Sequence, residues 1–235
     1  MRWTTAALAG LLALAACGDG GQADRKAPAP PPGRAPAESG GAEEPVMMFL
    51  GTSLTAGYGL GAEYAYPALI QSKLDSAGLR YRVVNAGVSG ETSAGALARI
   101  DWLLQEPPAV LVIETGANDG LRGIDPESME RNIQNIISHA RKKRPDMRIF
   151  LVAMEAPPNL GPRYVRRFRQ VYTDLAAENR VTLVPFLLNG VAGIDSLNQA
   201  DGIHPTVRGQ QIVAGNVWRA LRPALERRDG TTSGG

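Results

Sequence analysis

Ala109-Val110-Leu111-Val112-Ile113 is an uninterrupted apolar run, and a few residues later it meets Gly116-Ala117-Asn118-Asp119. A short apolar run closed by small and polar residues suits a strand covered on both faces. Outward from it, other segments repeat the pattern. Val46-Met47-Met48-Phe49-Leu50 ends at Gly51, and Val83-Val84 runs into Asn85-Ala86-Gly87. Arg148-Ile149-Phe150-Leu151-Val152 is a fourth strand, and Val181-Thr182-Leu183-Val184 is a fifth, cut off by Pro185. Between these strands the apolar spacing turns helical, over about 66–77, 93–104, 164–179 and 206–227. Pro126 opens a further long helix, because proline fits a first turn. Its stripe of Met129, Ile133, Ile136, Ile137 and Ala140 has helical spacing. Pro223 is expected to end or bend the last turns of the final helix.

Strands alternating with helices predict an α/β fold of three αβα layers, with a mostly parallel sheet between two helical layers. Right-handed crossovers between five strands point to a flavodoxin-like, doubly wound order. Ligands in such sheets bind beyond the carboxyl ends of the strands, which says where to look for chemistry.

The chain has 235 residues, 44% of them hydrophobic and 20% charged, which suits one medium domain with a true core. A formal net charge of +2 is too small for a dedicated nucleic-acid binder. The two histidines lie far apart and the single cysteine is Cys17, so no zinc set and no intrachain disulfide are expected. Gly57-Tyr58-Gly59-Leu60-Gly61 lacks the frame of a phosphate-binding loop. Neither a metal nor a cofactor is expected.

The amino-terminal segment reads differently. Met1-Arg2-Trp3 precedes a short apolar stretch ending Leu14-Ala15-Ala16-Cys17. A charged start, an apolar stretch and small residues before a cut site describe a signal peptide, residues 1–16. Its end resembles a bacterial lipobox, which would make Cys17 the lipidated first residue of the mature protein. Residues 17–45, rich in Pro, Ala and Gly, read as a linker, 46–228 as the domain, and 229–235 as a disordered tail. The expectation is an exported, lipid-anchored monomer on the periplasmic or extracellular face of a membrane, touching that membrane through acyl chains on Cys17.

The strand ends carry the chemistry. Gly51-Thr52-Ser53-Leu54-Thr55 follows the first strand and Ser89-Gly90-Glu91-Thr92 follows the second. Asn118 follows the third, and Asp201-Gly202-Ile203-His204-Pro205 stands near the end of the chain. A serine needs a base to take its proton and donors to hold the oxyanion that forms. His204 is the candidate base. Asp201, three residues earlier, can fix its tautomer within a single turn. The backbone N–H groups of Ser53 and Gly90 and the side-chain amide of Asn118 are candidate oxyanion donors. Each of these residues alone reads as an ordinary turn or cap residue; together, and in this order, they read as a site.

These blocks resemble those of the SGNH (GDSL-like) hydrolases over essentially all of residues 46–226. The supporting stretches are SLTAGYG, VVNAGVSGETS, GANDGLRG, PF and DGIHP. The resemblance is nearest to the bacterial thioesterase, lysophospholipase and arylesterase branch. It implies Ser53 as nucleophile, Asp201 and His204 as its triad partners, and Ser53, Gly90 and Asn118 as oxyanion hole. It further implies hydrolysis of esters or thioesters through an acyl-enzyme, without metal or cofactor. The chain departs from the family's usual Gly-Asp-Ser-Leu, reading Gly51-Thr52-Ser53-Leu54. The missing carboxylate is no triad member, so it bears on the turn that aims Ser53 or on the ionisation of His204.

A small acyl-ester or thioester substrate needs a groove. The 120–124 and 156–161 loops offer Leu121, Arg122, Ile124, Pro157 and Leu160 as its lining. His139 lies off the apolar stripe of its helix and, with the basic residues 141–144, reads as a solvated face suited to a helix C-terminus. Alternatives from other classes remain. A deacetylase of envelope carbohydrate would use the same triad, an inactive relative would bind lipid or glycan, and a flavodoxin-like cofactor domain would need a phosphate loop.

Overall fold

The computed structural model describes residues 44–229. The readings of residues 1–16 as a signal peptide and of Cys17 as a lipidation site, most of the 17–45 linker and nearly all of the tail lie outside the described residues.

The strands are β1 (Val46–Gly51), β2 (Arg82–Gly87), β3 (Val110–Glu114), β4 (Arg148–Val152) and β5 (Thr182–Val184). All are parallel, in the order β2-β1-β3-β4-β5, which is the flavodoxin-like arrangement expected. In register, Phe49 of β1 stands between Asn85 of β2 and Val112 of β3, and Val112 faces Phe150 of β4. Central strands are covered on both faces, whereas edge strand β2 is half-exposed. That contrast explains why β3 is legible as an unbroken apolar run. Each of its apolar side chains, from Val110 to Ile113, contributes about 1.5–3 kcal/mol on leaving water.

Seven α-helices surround the sheet among the described residues: α1 (Ser53–Ala56), α2 (Tyr66–Ser76), α3 (Ser93–Leu103), α4 (Ala117–Leu121), α5 (Pro126–Lys143), α6 (Pro162–Asn179) and α7 (Val207–Asp229). Helices α3, α5 and α6 pack side by side in one layer, and α2 packs with α7 in another. Asp125 caps α5 by accepting the Ser128 N–H at 3.0 Å, with Pro126 in the first turn and the expected stripe buried. His139 is not merely solvated, since its Nδ1 lies 2.8 Å from Asp101 Oδ1 and links α5 to α3.

One boundary differs from expectation. Pro223 does not end the last helix, which continues to Asp229 and so takes in the first residue of the expected tail. A proline inside a helix costs about 3 kcal/mol through its missing N–H and its ring. Leu221 and Leu225, both buried, flank it and hold the helix on the core. Arg148 adds a bond from Nη1 to the Ala224 carbonyl at 3.0 Å. Packing outweighs propensity here. The short helices α1 and α4 carry no periodic signal; both sit at the carboxyl end of a central strand.

Candidate active site

At the carboxyl end of β1 the backbone approaches its neighbours too closely for any side chain. A Cβ on Gly51 would lie 2.0 Å from Thr55 Oγ1 and 2.8 Å from Glu114 Oε2. Its register partner Gly87 is as confined, since a Cβ there would lie 2.3 Å from the Ala56 nitrogen. The chain then turns into α1, whose first residue is Ser53. Thr52 caps this turn, its hydroxyl accepting from the Leu54 N–H at 3.4 Å.

Thr52 also faces inward. Glu114, the last residue of β3, is 0% exposed and accepts hydrogen bonds from the Thr52 N–H at 2.9 Å, the Thr52 hydroxyl at 3.0 Å and the Thr55 hydroxyl at 2.8 Å. The Tyr66 hydroxyl lies 2.7 Å from Thr55 Oγ1. Burial pushes the Glu114 carboxyl up to about 7, and the donors of Thr52 and Thr55 pull it part of the way back. The Thr52 side chain, where the family's usual block has an aspartate, is committed to Glu114 and to capping α1.

A line of hydrogen bonds leaves Ser53 on its other side. His204 Nε2 lies 2.8 Å from Ser53 Oγ, and His204 Nδ1 lies 2.7 Å from Asp201 Oδ2. The second carboxylate oxygen of Asp201 accepts the N–H groups of Ile203 and His204, both at 3.0 Å. The bond from the His204 side chain, followed by these backbone bonds, lowers Asp201 to about 2. A carboxylate so held accepts a hydrogen bond from the Nδ1–H of a neutral imidazole, leaving Nε2 as acceptor toward the serine hydroxyl. The Tyr58 ring lies against the imidazole, with centroids 4.6 Å apart. Gln199 fastens the loop: its N–H donates to the His204 carbonyl at 2.7 Å and its Nε2 to the Tyr58 carbonyl at 2.7 Å.

Gly90 and Asn118 reach the same place from the next two strands. Gly90 sits at φ 78°, a conformation open to glycine, and its carbonyl accepts from Arg122 Nη2 at 2.9 Å. Asn118 Nδ2 donates to the Glu91 carbonyl at 2.9 Å. An amide has two N–H donors, so one remains for a substrate oxygen. Asp119 accepts both the N–H and the hydroxyl of Ser93, at 2.8 and 2.6 Å, and Arg99 pairs with Glu91 at 2.6 Å. The 88–92 loop is thereby bound to α4, and its donors are set before any substrate arrives.

Ser53, Gly90, Asn118 and His204 all line one cavity of about 530 Å³. Of the expected groove residues, Leu121 and Pro157 line it; Arg122, Ile124 and Leu160 do not. Arg122 is turned to Gly90, the Ile124 carbonyl accepts the Tyr164 hydroxyl at 2.5 Å, and Leu160 packs on the core. The apolar wall also includes Met154, Phe186, Leu188 and Ile203, which the sequence reading missed. Met154 and Phe186 each stand two residues beyond a strand, so the strand-end rule applied to β4 and β5 would have found them. Tyr58, Leu121 and Ile203 are exposed at the mouth. No group of three or more His, Cys, Asp or Glu side chains among the described residues could hold a metal ion.

Residues 49–212 match the GDSL-like lipase/acylhydrolase family, a span that takes in every element bearing this site. The chain belongs to that family. Among its SGNH relatives, esterase TesA of Pseudomonas aeruginosa is 45% identical over 180 residues, covering 76% of this chain and 89% of the relative. Thioesterase 1/protease 1/lysophospholipase L1 of Escherichia coli is 37% identical, covering 76% of this chain and 84% of its own. In three dimensions the psychrotrophic esterase EstA from Pseudoalteromonas, solved inhibited by monoethylphosphonate, superposes with a TM-score of 0.73 at 33% identity. That superposition covers 78% of this chain and 100% of EstA. The GDSL-like, or SGNH, family thus spans nearly all of the described fold.

Proposed function

We propose that this SGNH hydrolase cleaves carboxylic esters or thioesters through an acyl-enzyme on Ser53, with His204 as base and Asp201 as orienter. The observation that carries the reading is the unbroken line from Ser53 Oγ through both imidazole nitrogens to Asp201, opening on an apolar cavity. His204 Nε2 takes the hydroxyl proton as Ser53 Oγ attacks the acyl carbonyl. Negative charge gathers on the carbonyl oxygen and is held by the N–H groups of Ser53 and Gly90 and the free N–H of Asn118. The imidazolium then gives its proton to the leaving alcohol or thiol. Water, deprotonated by the same nitrogen, attacks the acyl-enzyme and restores Ser53.

The names of the relatives, an esterase and a thioesterase/lysophospholipase, support this range of leaving groups. The wall of Leu121, Met154, Pro157, Phe186 and Leu188 fits an acyl chain better than a sugar ring, which favours ester hydrolysis over carbohydrate deacetylation. The test is hydrolysis of p-nitrophenyl acetate, butyrate, octanoate and palmitate by the protein and by Ser53→Ala. Turnover that vanishes in the variant supports the reading, and the preferred chain sizes the groove. A folded protein inert on all four esters overturns it.

For the amino-terminal segment the proposal is an exported lipoprotein, a reading supported by the Leu14-Ala15-Ala16-Cys17 pattern. Incorporation of labelled palmitate that survives Cys17→Ala would defeat it.

A further inference from the structure

Two carboxylates are buried near the carboxyl end of β3, and their surroundings differ. Asp119 serves the 88–92 loop through Ser93. Glu114 serves the other side: every partner that it bonds belongs to the segment bearing Ser53. No ion pair to Glu114 forms among the described residues. The acyl-transfer steps do not use it.

Counting hydrogens shows what the ionised carboxylate does for the turn. The Thr52 N–H and hydroxyl both donate to Glu114, the hydroxyl reaching both carboxylate oxygens at 3.0 and 3.1 Å. If the Thr55 hydroxyl also donates to Glu114, the Tyr66 hydroxyl can donate to Thr55, and each hydrogen finds an acceptor. A proton on Glu114 breaks this order. The Glu114 hydroxyl then donates, so the threonine hydroxyl facing it must turn away and is left without its carboxylate acceptor. Buried donors without acceptors are costly. Gln210 closes the far side, donating to the Leu54 carbonyl at 3.3 Å and accepting the Tyr66 N–H at 3.0 Å. The residues on either side of Ser53 are thus fixed by groups that never touch substrate.

We infer that ionised Glu114, acting through Thr52 and Thr55, is a positioning residue for the Ser53 turn, and that its protonation loosens that turn and lowers turnover. The inference rests on Ser53 as nucleophile. Burial lifts the Glu114 carboxyl to about 7, which brings the change within reach of an ordinary activity profile. The titratable groups that feel its charge are Tyr66 from α2 and Tyr172 from α6, the latter also feeling Asp119 of α4. Burial holds both phenols well above their usual range, so they stay neutral, and Tyr172 donates to the Thr115 carbonyl at 2.8 Å. Thr52 gives the arrangement its meaning. An aspartate there, as in the family's usual block, would set two carboxylates within hydrogen-bond reach, where one must hold a proton.

The experiment is the pH profile of kcat/KM, from about pH 5 to about pH 9, on p-nitrophenyl butyrate. It compares the wild type with Glu114→Gln, Thr52→Asp, Thr52→Val and Ser53→Ala, each checked for folding by circular dichroism. Two groups that must both lose protons give the wild type an acid limb steeper than one proton allows. Glu114→Gln is expected to reduce that limb to one proton and to lower kcat by roughly 10- to 100-fold with KM nearly unchanged, the cost of misplacing a reacting group. Thr52→Asp and Thr52→Val should both move the limb to higher pH, the first by adding a charge and the second by removing a donor. A folded Glu114→Gln with the wild-type slope overturns the inference, even if its kcat has fallen. Should that variant not fold, an unmoved limb in Thr52→Val does the same. Activity surviving in Ser53→Ala would instead overturn the assignment of the nucleophile.

Discussion

The Ser53 turn and the 198–205 loop meet at the bond between Ser53 and His204, yet they are built by opposite means. The turn is held from the core, by Glu114 sixty-two positions away from Thr52 in the chain and wholly out of water. The loop holds itself. Asp201 and His204 are three residues apart, and the Asp201 side chain is 39% exposed against 14% for His204. Backbone N–H groups and Gln199 supply its order. The proposed nucleophile thus takes its position from the sheet, whereas the proposed base takes its position from a local knot that Tyr58 and Gln199 tie back to the turn. A reacting pair arranged this way keeps one partner fixed and lets small adjustments fall on the other.

The sharpest test of the pairing is Ser53→Ala, which should lower turnover by roughly 10⁴-fold or more, read against an active-site titration. Asn118→Ala comes next, with an expected loss of about 10²–10³ in kcat and a smaller change in KM, measured by steady-state kinetics.

Acid and base separate the two regions further. Folded Glu114 holds its proton up to about 7, whereas the unfolded chain releases it near 4.5. Its contribution to stability is full below that lower value and is lost as pH rises through about 7, by about 3 kcal/mol. Denaturant unfolding across this window should show the fall in the wild type and a flatter line in Glu114→Gln. Asp201 works the other way: its carboxyl, lowered from 3.8 to about 2, stabilises the loop above the upper value and loses that effect as pH falls through the lower. As pH falls through about 2, hydrogen exchange of residues 198–205 should therefore quicken. The smallest expected effect is at the mouth. Leu121→Ala should change the preference between octanoate and acetate by less than about tenfold, because that side chain is already half in water.

How much of this was legible in the sequence follows the same division. Contacts between near neighbours leave a spacing that can be read, and Asp201-Gly202-Ile203-His204 is such a spacing. The strand order also followed from local signals, because β1, β3 and β4 are buried on both faces and have no polar alternation to confuse them. The reading halted where contacts became distant. Glu114 looked like the residue after a strand, and nothing near it in the chain names Thr52 or Tyr66 as partners. Ile124 and Leu160 were assigned to the groove because they are apolar and lie in the right loops. Their orientation depends on α6, whose Tyr164 draws the Ile124 carbonyl away. Pro223 marks another limit: local propensity allows an end or a bend there, while buried leucines on both sides carry the helix on.

The facing glycines at the ends of β1 and β2 set a rule for anyone who wishes to redesign this enzyme. At Gly51 and Gly87 the neighbouring atoms are so close that a single added carbon would have to displace backbone or the Thr55–Glu114 contact. A library of variants that samples every position evenly would waste its members there. The rim at Leu121 and Ile203 is open to solvent and can be varied in shape, so selectivity can be altered from the outside while the two glycines stay untouched.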